Sequence, residues 1–232
     1  MKRIFSVFSV ALVLSACTCN VSSGNVKVGN GKRVVCKGPV VEKSFDLSGF
    51  DAITINGAAD IEIAQGADWS VRVVANEEVF DYLNYRIVDD SVLLLETVDH
   101  VNIAAKEYDI FVTVPELTSI CVNGAADMDF KLGYRSDKDL RIVVNGAGDL
   151  NLYTIEVPSL QVELNGAADV DLKSVKVQKI DVRISGAGDV DVSGTADEAR
   201  LSVSGAGVID ARGLDCSNVR KSRAGVAVIR TR

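Results

Sequence analysis

Val144-Asn145-Gly146-Ala147-Gly148-Asp149 is a phrase to which the chain keeps returning. It occurs first as Asn56-Gly57-Ala58-Ala59-Asp60 and restarts at Asn123, Asn145 and Asn165. It continues as Ser185-Gly186-Ala187-Gly188-Asp189 and, in a worn form, as Ser204-Gly205-Ala206-Gly207-Val208. From Asn123 onward the copies start 22, 20, 20 and 19 residues apart. Units this short cannot bury an apolar face alone, so they stack on one another.

Aligned on the phrase, the flanking columns alternate. One residue before it stand Ile55, Val122, Val144, Leu164, Ile184 and Val203; three before stand Ile53, Ile120, Ile142, Val162, Val182 and Leu201. The position between them carries Thr54, Cys121, Val143, Glu163, Arg183 and Ser202, which share no chemistry. That is the two-residue period of a strand with one face turned inward. After the phrase the alternation resumes. The columns from Ile61 to Ile209 and from Ile63 to Ala211 are expected inside, and the Asp60–Asp189 and Glu62–Asp210 columns outside. Ala58, Ala125, Ala147, Ala167, Ala187 and Ala206 hold one place without exception, which predicts an alanine packed inward at a tight corner. The glycine before it supplies the backbone freedom of the bend.

Strand, corner, strand in about 20 residues predicts an all-β fold, one coil per repeat of a parallel β-solenoid with coils about 4.8 Å apart. The alternative is a sandwich of antiparallel hairpins, which has no need of identical residues in register. The basic segment Ser222-Arg223-Ala224-Gly225-Val226 reads as a final, degenerate copy that blunts an open edge.

Between Asp60 and Cys121 the texture changes. Val71 and Val73 alternate as a strand, and 76–85 suits a short helix or a loop. Arg86–Val88 and Val92–Leu95 around the turn Asp89-Asp90-Ser91 read as a hairpin, and Tyr108–Val114 is a strand stopped by Pro115. Residues 64–116 are therefore taken as an elaborated section on the same sheet system, with 117–232 the regular repeats of one domain spanning 34–232.

The first residues set the compartment. Lys2-Arg3, the apolar run Ile4–Leu14 and Leu14-Ser15-Ala16-Cys17 read as a signal peptide over 1–16, too short for a stable span. The tetrapeptide also resembles a bacterial lipobox, which implies acylation of Cys17 and a membrane anchor; an ordinary cleaved signal is the alternative. Thr18 after the cysteine favours the outer membrane under the enterobacterial sorting pattern, on either its periplasmic or its surface side. Residues 17–33 read as a polar tether. Export permits disulfides among Cys19, Cys36, Cys121 and Cys216, with three connectivities open.

The net charge is −7, and about −9 once Lys2 and Arg3 leave with the leader. An acidic chain without a basic stripe argues against nucleic acid and against electrostatic docking on anionic lipid. One histidine, His100, and no close cysteine pair speak against a zinc site. The Gly-Ala-Gly segments lack the Lys-Ser/Thr of a phosphate loop.

Ser48-Gly49-Phe50-Asp51-Ala52-Ile53, the Val-Pro-x-Leu steps at Val114–Leu117 and Val157–Leu160, and the serial Gly-Ala-Gly-Asp segments resemble the head GIN domain family over about 40–232. Those are exported, often lipobox-bearing proteins of Bacteroidetes type, labelled auto-transporter adhesins. The resemblance implies a right-handed parallel β-helix, an envelope location and no catalytic residue.

The stacked acids are the chemically pointed feature. Carboxylates about 5 Å apart repel by ~0.8 kcal/mol per pair even in water. Asp149, Asp169, Asp171, Asp189 and Asp191 are thus either solvated turn acids or ligands for Ca²⁺, a hard cation that takes oxygen. A polysaccharide-processing site would need paired carboxylates, or a cluster of carboxylate, Ca²⁺ and a basic residue for which Arg183 near Asp189 supplies the ingredients, whereas these acids are strung out in ladders. The expected function is a non-catalytic, lipid-anchored envelope module, an adhesin or structural element facing a glycan or protein partner, with no cofactor beyond that calcium.

Overall fold

The computed structural model describes residues 32–98, 101–130 and 132–232. The signal peptide, Cys17, Cys19, most of the proposed tether and His100 lie outside the described residues. The chain is all-β. Its strands are β1 (Lys32–Val35), β2 (Val40–Phe45), β3 (Ala52–Gln65), β4 (Ser70–Asn76), β5 (Arg86–Val88), β6 (Val92–Glu96) and β7 (Val101–Ala104). There follow β8 (Tyr108–Val114), β9 (Ser119–Phe130), β10 (Tyr134–Arg135), β11 (Leu140–Tyr153), β12 (Ile155–Asp215) and β13 (Asn218–Thr231). A 3₁₀ turn at Glu77–Tyr82 occupies the stretch read as helix or loop. No helix among the described residues is long and apolar enough to cross a membrane.

The repeats pair parallel and like on like. β3 lies on β9 with Asn56 beside Asn123 and Ala58 beside Ala125. β9 lies on β11 with Asn123 beside Asn145, and β11 on β12 with Ala147 beside Ala167 and Asp149 beside Asp169. The last part of β12 pairs with β13. Both inward columns before the phrase and both after it are buried in every copy, from Ile53 to Leu201 and from Ile63 to Ala211. Two-residue alternation puts a Val, Ile or Leu into the interior at every second position, and stacking sets each against its equivalent one coil away.

The alternation runs straight through the phrase, which corrects the expected inward corner. Ala58, Ala125, Ala147, Ala167, Ala187 and Ala206 are exposed. The residue after each faces in instead: Ala59, Ala126 and Ala168 are buried, and Gly148, Gly188 and Gly207 take that place elsewhere. The phrase is a bend in an unbroken strand, so β12 extends over 61 residues and three copies. The last copy pairs two residues away from its apparent match, with Ala224-Gly225-Val226 on Ser204-Gly205-Ala206.

The elaborated section departs from an all-parallel solenoid, and the sheet is mixed. β6 pairs parallel with the first half of β3 and β8 with its second half, so 92–114 forms a layer beneath the first repeat. Antiparallel strands cover that layer: β5 on β6, β4 on β8 and β2 on β4. The β5–β6 hairpin turns through Asp89, Asp90 and Ser91, with Val88 paired to Val92 and with Asp89 (φ 50°) and Asp90 (φ 65°) in the left-handed region. β1 pairs with β7 in a separate two-stranded sheet, so Lys32 and Arg33, within the segment expected to be tether, belong to a strand. Among the described residues Cys36, Cys121 and Cys216 form no disulfide with one another.

A buried hydroxyl clamps the backbone at the start of the repeats to β10. The Tyr134 hydroxyl, on a residue 2% exposed, donates to the Leu117 carbonyl at 2.7 Å and accepts from the Leu117 N–H at 2.7 Å. Its ring packs edge-on to Phe130 at 6.1 Å. Tyr134→Phe keeps the ring and orphans both backbone groups, so a loss of about 1–3 kcal/mol is expected in urea unfolding. An unchanged midpoint would mean that water replaces the hydroxyl.

Candidate functional site

Three outer features stand out: the aspartate ladders, an asparagine ladder beside them, and a groove on another side of the stack.

In the first ladder three carboxylates serve the next repeat. Asp127 Oδ1 accepts the Asp149 backbone N–H at 3.1 Å, Asp169 Oδ1 that of Asp189 at 3.2 Å, and Asp189 Oδ1 that of Val208 at 3.1 Å. Aspartate here satisfies backbone donors at the bend. In the second ladder Asn151 Nδ2 donates to Asp129 at 2.9 Å, Lys173 pairs with Asp171 at 2.6 Å, and Arg212 forks onto Asp210. That fork holds the Asp210 carboxyl at about 2. Asp149, Asp169, Asp171, Asp189 and Asp191 thus lie in line and do not converge. Among the described residues no three carboxylate, thiol or imidazole groups are placed to hold a metal. Millimolar Ca²⁺ is accordingly expected to leave the melting midpoint where it is, and a rise of several degrees would reinstate a cation site. Arg183 binds Asp181 at 2.8 Å and Glu163 at 3.5 Å, and is not brought to Asp189.

Two acids lack such compensation. Burial, then the Asp127 and Asp109 carboxylates, push the Asp60 carboxyl above its ordinary range. Burial, then Asp171, Asp210 and Asp189, do the same for Asp191, against a smaller opposing pull from Lys173. A carboxyl raised on folding costs stability above its folded value, and that cost fades as pH falls through it. Asp60→Asn with Asp191→Asn is therefore expected to raise the midpoint by about 1–2 °C at pH 7. The gain should vanish near pH 4 and shrink in salt. An equal gain at every pH would assign it to something other than charge.

The asparagines that open the first four phrases form a one-directional chain that the sequence reading missed. Asn165 Nδ2 donates to Asn145 Oδ1 at 3.0 Å, Asn145 to Asn123 at 2.9 Å, and Asn123 to Asn56 at 2.9 Å. Asn56 closes it on Glu96 at 3.2 Å. The signal was present in the repeated Asn, since an amide can both give and accept along a stack.

The groove, also missed, has a volume of about 630 Å³ and crosses five successive coils, from Arg135–Asp137 to Asp215–Ser217. Its floor is the middle column, Ser136, Val157, Val177, Ala196 and Cys216. Along one wall Glu156 binds Arg135 at 2.6 Å and Lys176 at 2.9 Å. The Lys176 hydrogen bond is the largest of the effects that hold the Glu156 carboxyl below its usual value.

A family model described as "Putative auto-transporter adhesin, head GIN domain" matches residues 49–232. Among solved structures, a putative adhesin from Bacteroides fragilis superposes with a TM-score of 0.70 at 17% identity, over 86% of this chain and 100% of that one. One from Parabacteroides distasonis gives 0.72 at 19% identity, over 85% of this chain and 83% of that one. These likenesses concern the fold. No curated protein matches the chain.

Proposed function

We propose, from the premise that the chain belongs to the head GIN domain family, that it is a non-catalytic binding module of the cell envelope. Its repeats serve as coils of a right-handed parallel solenoid. Acylated Cys17 anchors it in the outer membrane, and the side of the stack is offered to a partner. The observation that carries this reading is the groove of about 630 Å³ laid across five coils, a concave surface built by repetition. Several carboxylates of the ladders bond the neighbouring repeat, and general acid–base work would need two of them gathered at one point. The description of the similar solved proteins as adhesins favours the same direction.

The test is to display the full chain on lipid vesicles and screen envelope glycans and peptides for both retention and turnover. Retention of at least one class without chemical change is the expected result. Turnover of any ligand would overturn the non-catalytic reading, and failure to retain anything would leave a purely structural role. Palmitate labelling that is lost in Cys17→Ser checks the anchor separately.

A further inference from the structure

We propose that the groove binds an extended peptide segment bearing lysine or arginine, supplied by another protein. The inference rests on the reading of the chain as a binding module and names the site and the ligand chemistry.

Width argues first. Four steps between five coils give a length of roughly 19 Å at about 4.8 Å per step. A volume of about 630 Å³ over that length leaves a mean cross-section of roughly 33 Å². An α-helix, about 10–12 Å across, is too thick. An extended strand is slim enough, and about six residues at ~3.3 Å each fill the length. The groove runs across the strands, so the ligand docks through its side chains and not by adding a strand to the sheet.

Charge argues second. Both cations of the lining, Arg135 and Lys176, are held by the single carboxylate of Glu156. Three acids of the rim, Asp137, Asp197 and Asp215, are exposed and have no cationic partner among the described residues. The charge left over is negative, at rim positions where it steers and selects a partner. Between those acids the floor is small and apolar at Val157, Val177 and Ala196. A chain that alternates small apolar residues with basic ones matches both. An anionic polymer is repelled, and a glycan finds no aromatic face to stack on, because no aromatic side chain lines the groove.

The test uses the full chain in detergent with three labelled probes: a decapeptide alternating lysine and alanine, its glutamate counterpart, and a neutral glucan hexasaccharide. The lysine peptide is expected to bind at least tenfold more tightly than the glutamate peptide, and more weakly as salt rises. Asp137→Asn, Asp197→Asn and Asp215→Asn together should weaken it at least tenfold. The same charge change at exposed Asp46, Asp68 and Asp81 should stay within twofold. Glu156→Gln releases Arg135 and Lys176 and should shift preference toward the glutamate peptide. Equal loss in both triple variants would reduce the effect to net charge and overturn the proposal. So would equal binding of the two peptides, or no binding of the lysine peptide. Binding of the glucan alone would overturn it while leaving the binding-module reading in place.

Discussion

Gly146→Ala is expected to destabilise the fold by about 3 kcal/mol or more, a drop of about 6–12 °C in melting midpoint for a domain of this size. A Cβ built on Gly146 would sit 1.8 Å from the Gly124 carbonyl oxygen and 2.8 Å from its carbon. Both are backbone atoms of the coil below, so no side chain can turn aside, and the strands must part at the bend. Gly146 is not among the residues with positive φ, so alanine meets no conformational objection of its own and the cost is one of close approach. Ala147, next in sequence, supplies the control. It is exposed, and Ala147→Ser should change stability by less than about 0.5 kcal/mol. Equal damage from both substitutions would show that the bend is fixed by something other than backbone contact between glycines.

Lys221→Val with Arg223→Val should turn the protein into a self-associating one. β13 pairs with β12 on one edge, and no strand among the described residues covers its other edge. In register, Lys221 follows Leu201 and Arg223 follows Val203, so two cations end the two apolar columns that run through every earlier coil. Both are exposed, and charge at inward positions of an edge strand prevents another strand from adding. Valine would continue the columns to an open edge and offer about 1.5–3 kcal/mol per side chain on burial. Light scattering after size exclusion should give species at least twice the wild-type mass, growing with concentration. Lys221→Glu with Arg223→Glu should match the wild type. An unchanged mass for the valine variant at about 100 µM would move the cap elsewhere on β13.

The columns from Ile53 to Leu201 could be read directly because strand alternation is written at every second residue. The Ala147 column was misread for an instructive reason. A corner would turn alanine inward, whereas the strand bends without losing phase and sends it outward. The β5–β6 hairpin was legible from Asp89-Asp90-Ser91, since a short turn is local. The position of β6 and β8 beneath β3 was not, because that layer carries no copy of the phrase by which a register could be found. The aspartates were visible as a pattern, but the backbone N–H groups they receive exist only once coils are stacked. The groove was hidden for the opposite reason: Arg135, Glu156, Lys176, Thr195 and Asp215 form one column and share no chemistry.

The chain of amides from Asn165 to Asn56 has a direction, and direction gives it an electrical sense. Every Nδ2 faces the coil before it, so the side-chain dipoles add instead of cancelling, as peptide dipoles do along a helix. Their positive end meets the Glu96 carboxylate, which also takes hydrogen bonds from Asn84 and Arg86. A single amide cannot turn over without setting like atoms against like, so the four can reverse only together. Glu96 then acts as a latch. Its charge holds the row in one sense, and Glu96→Gln, able to give as well as accept, would let the row take either.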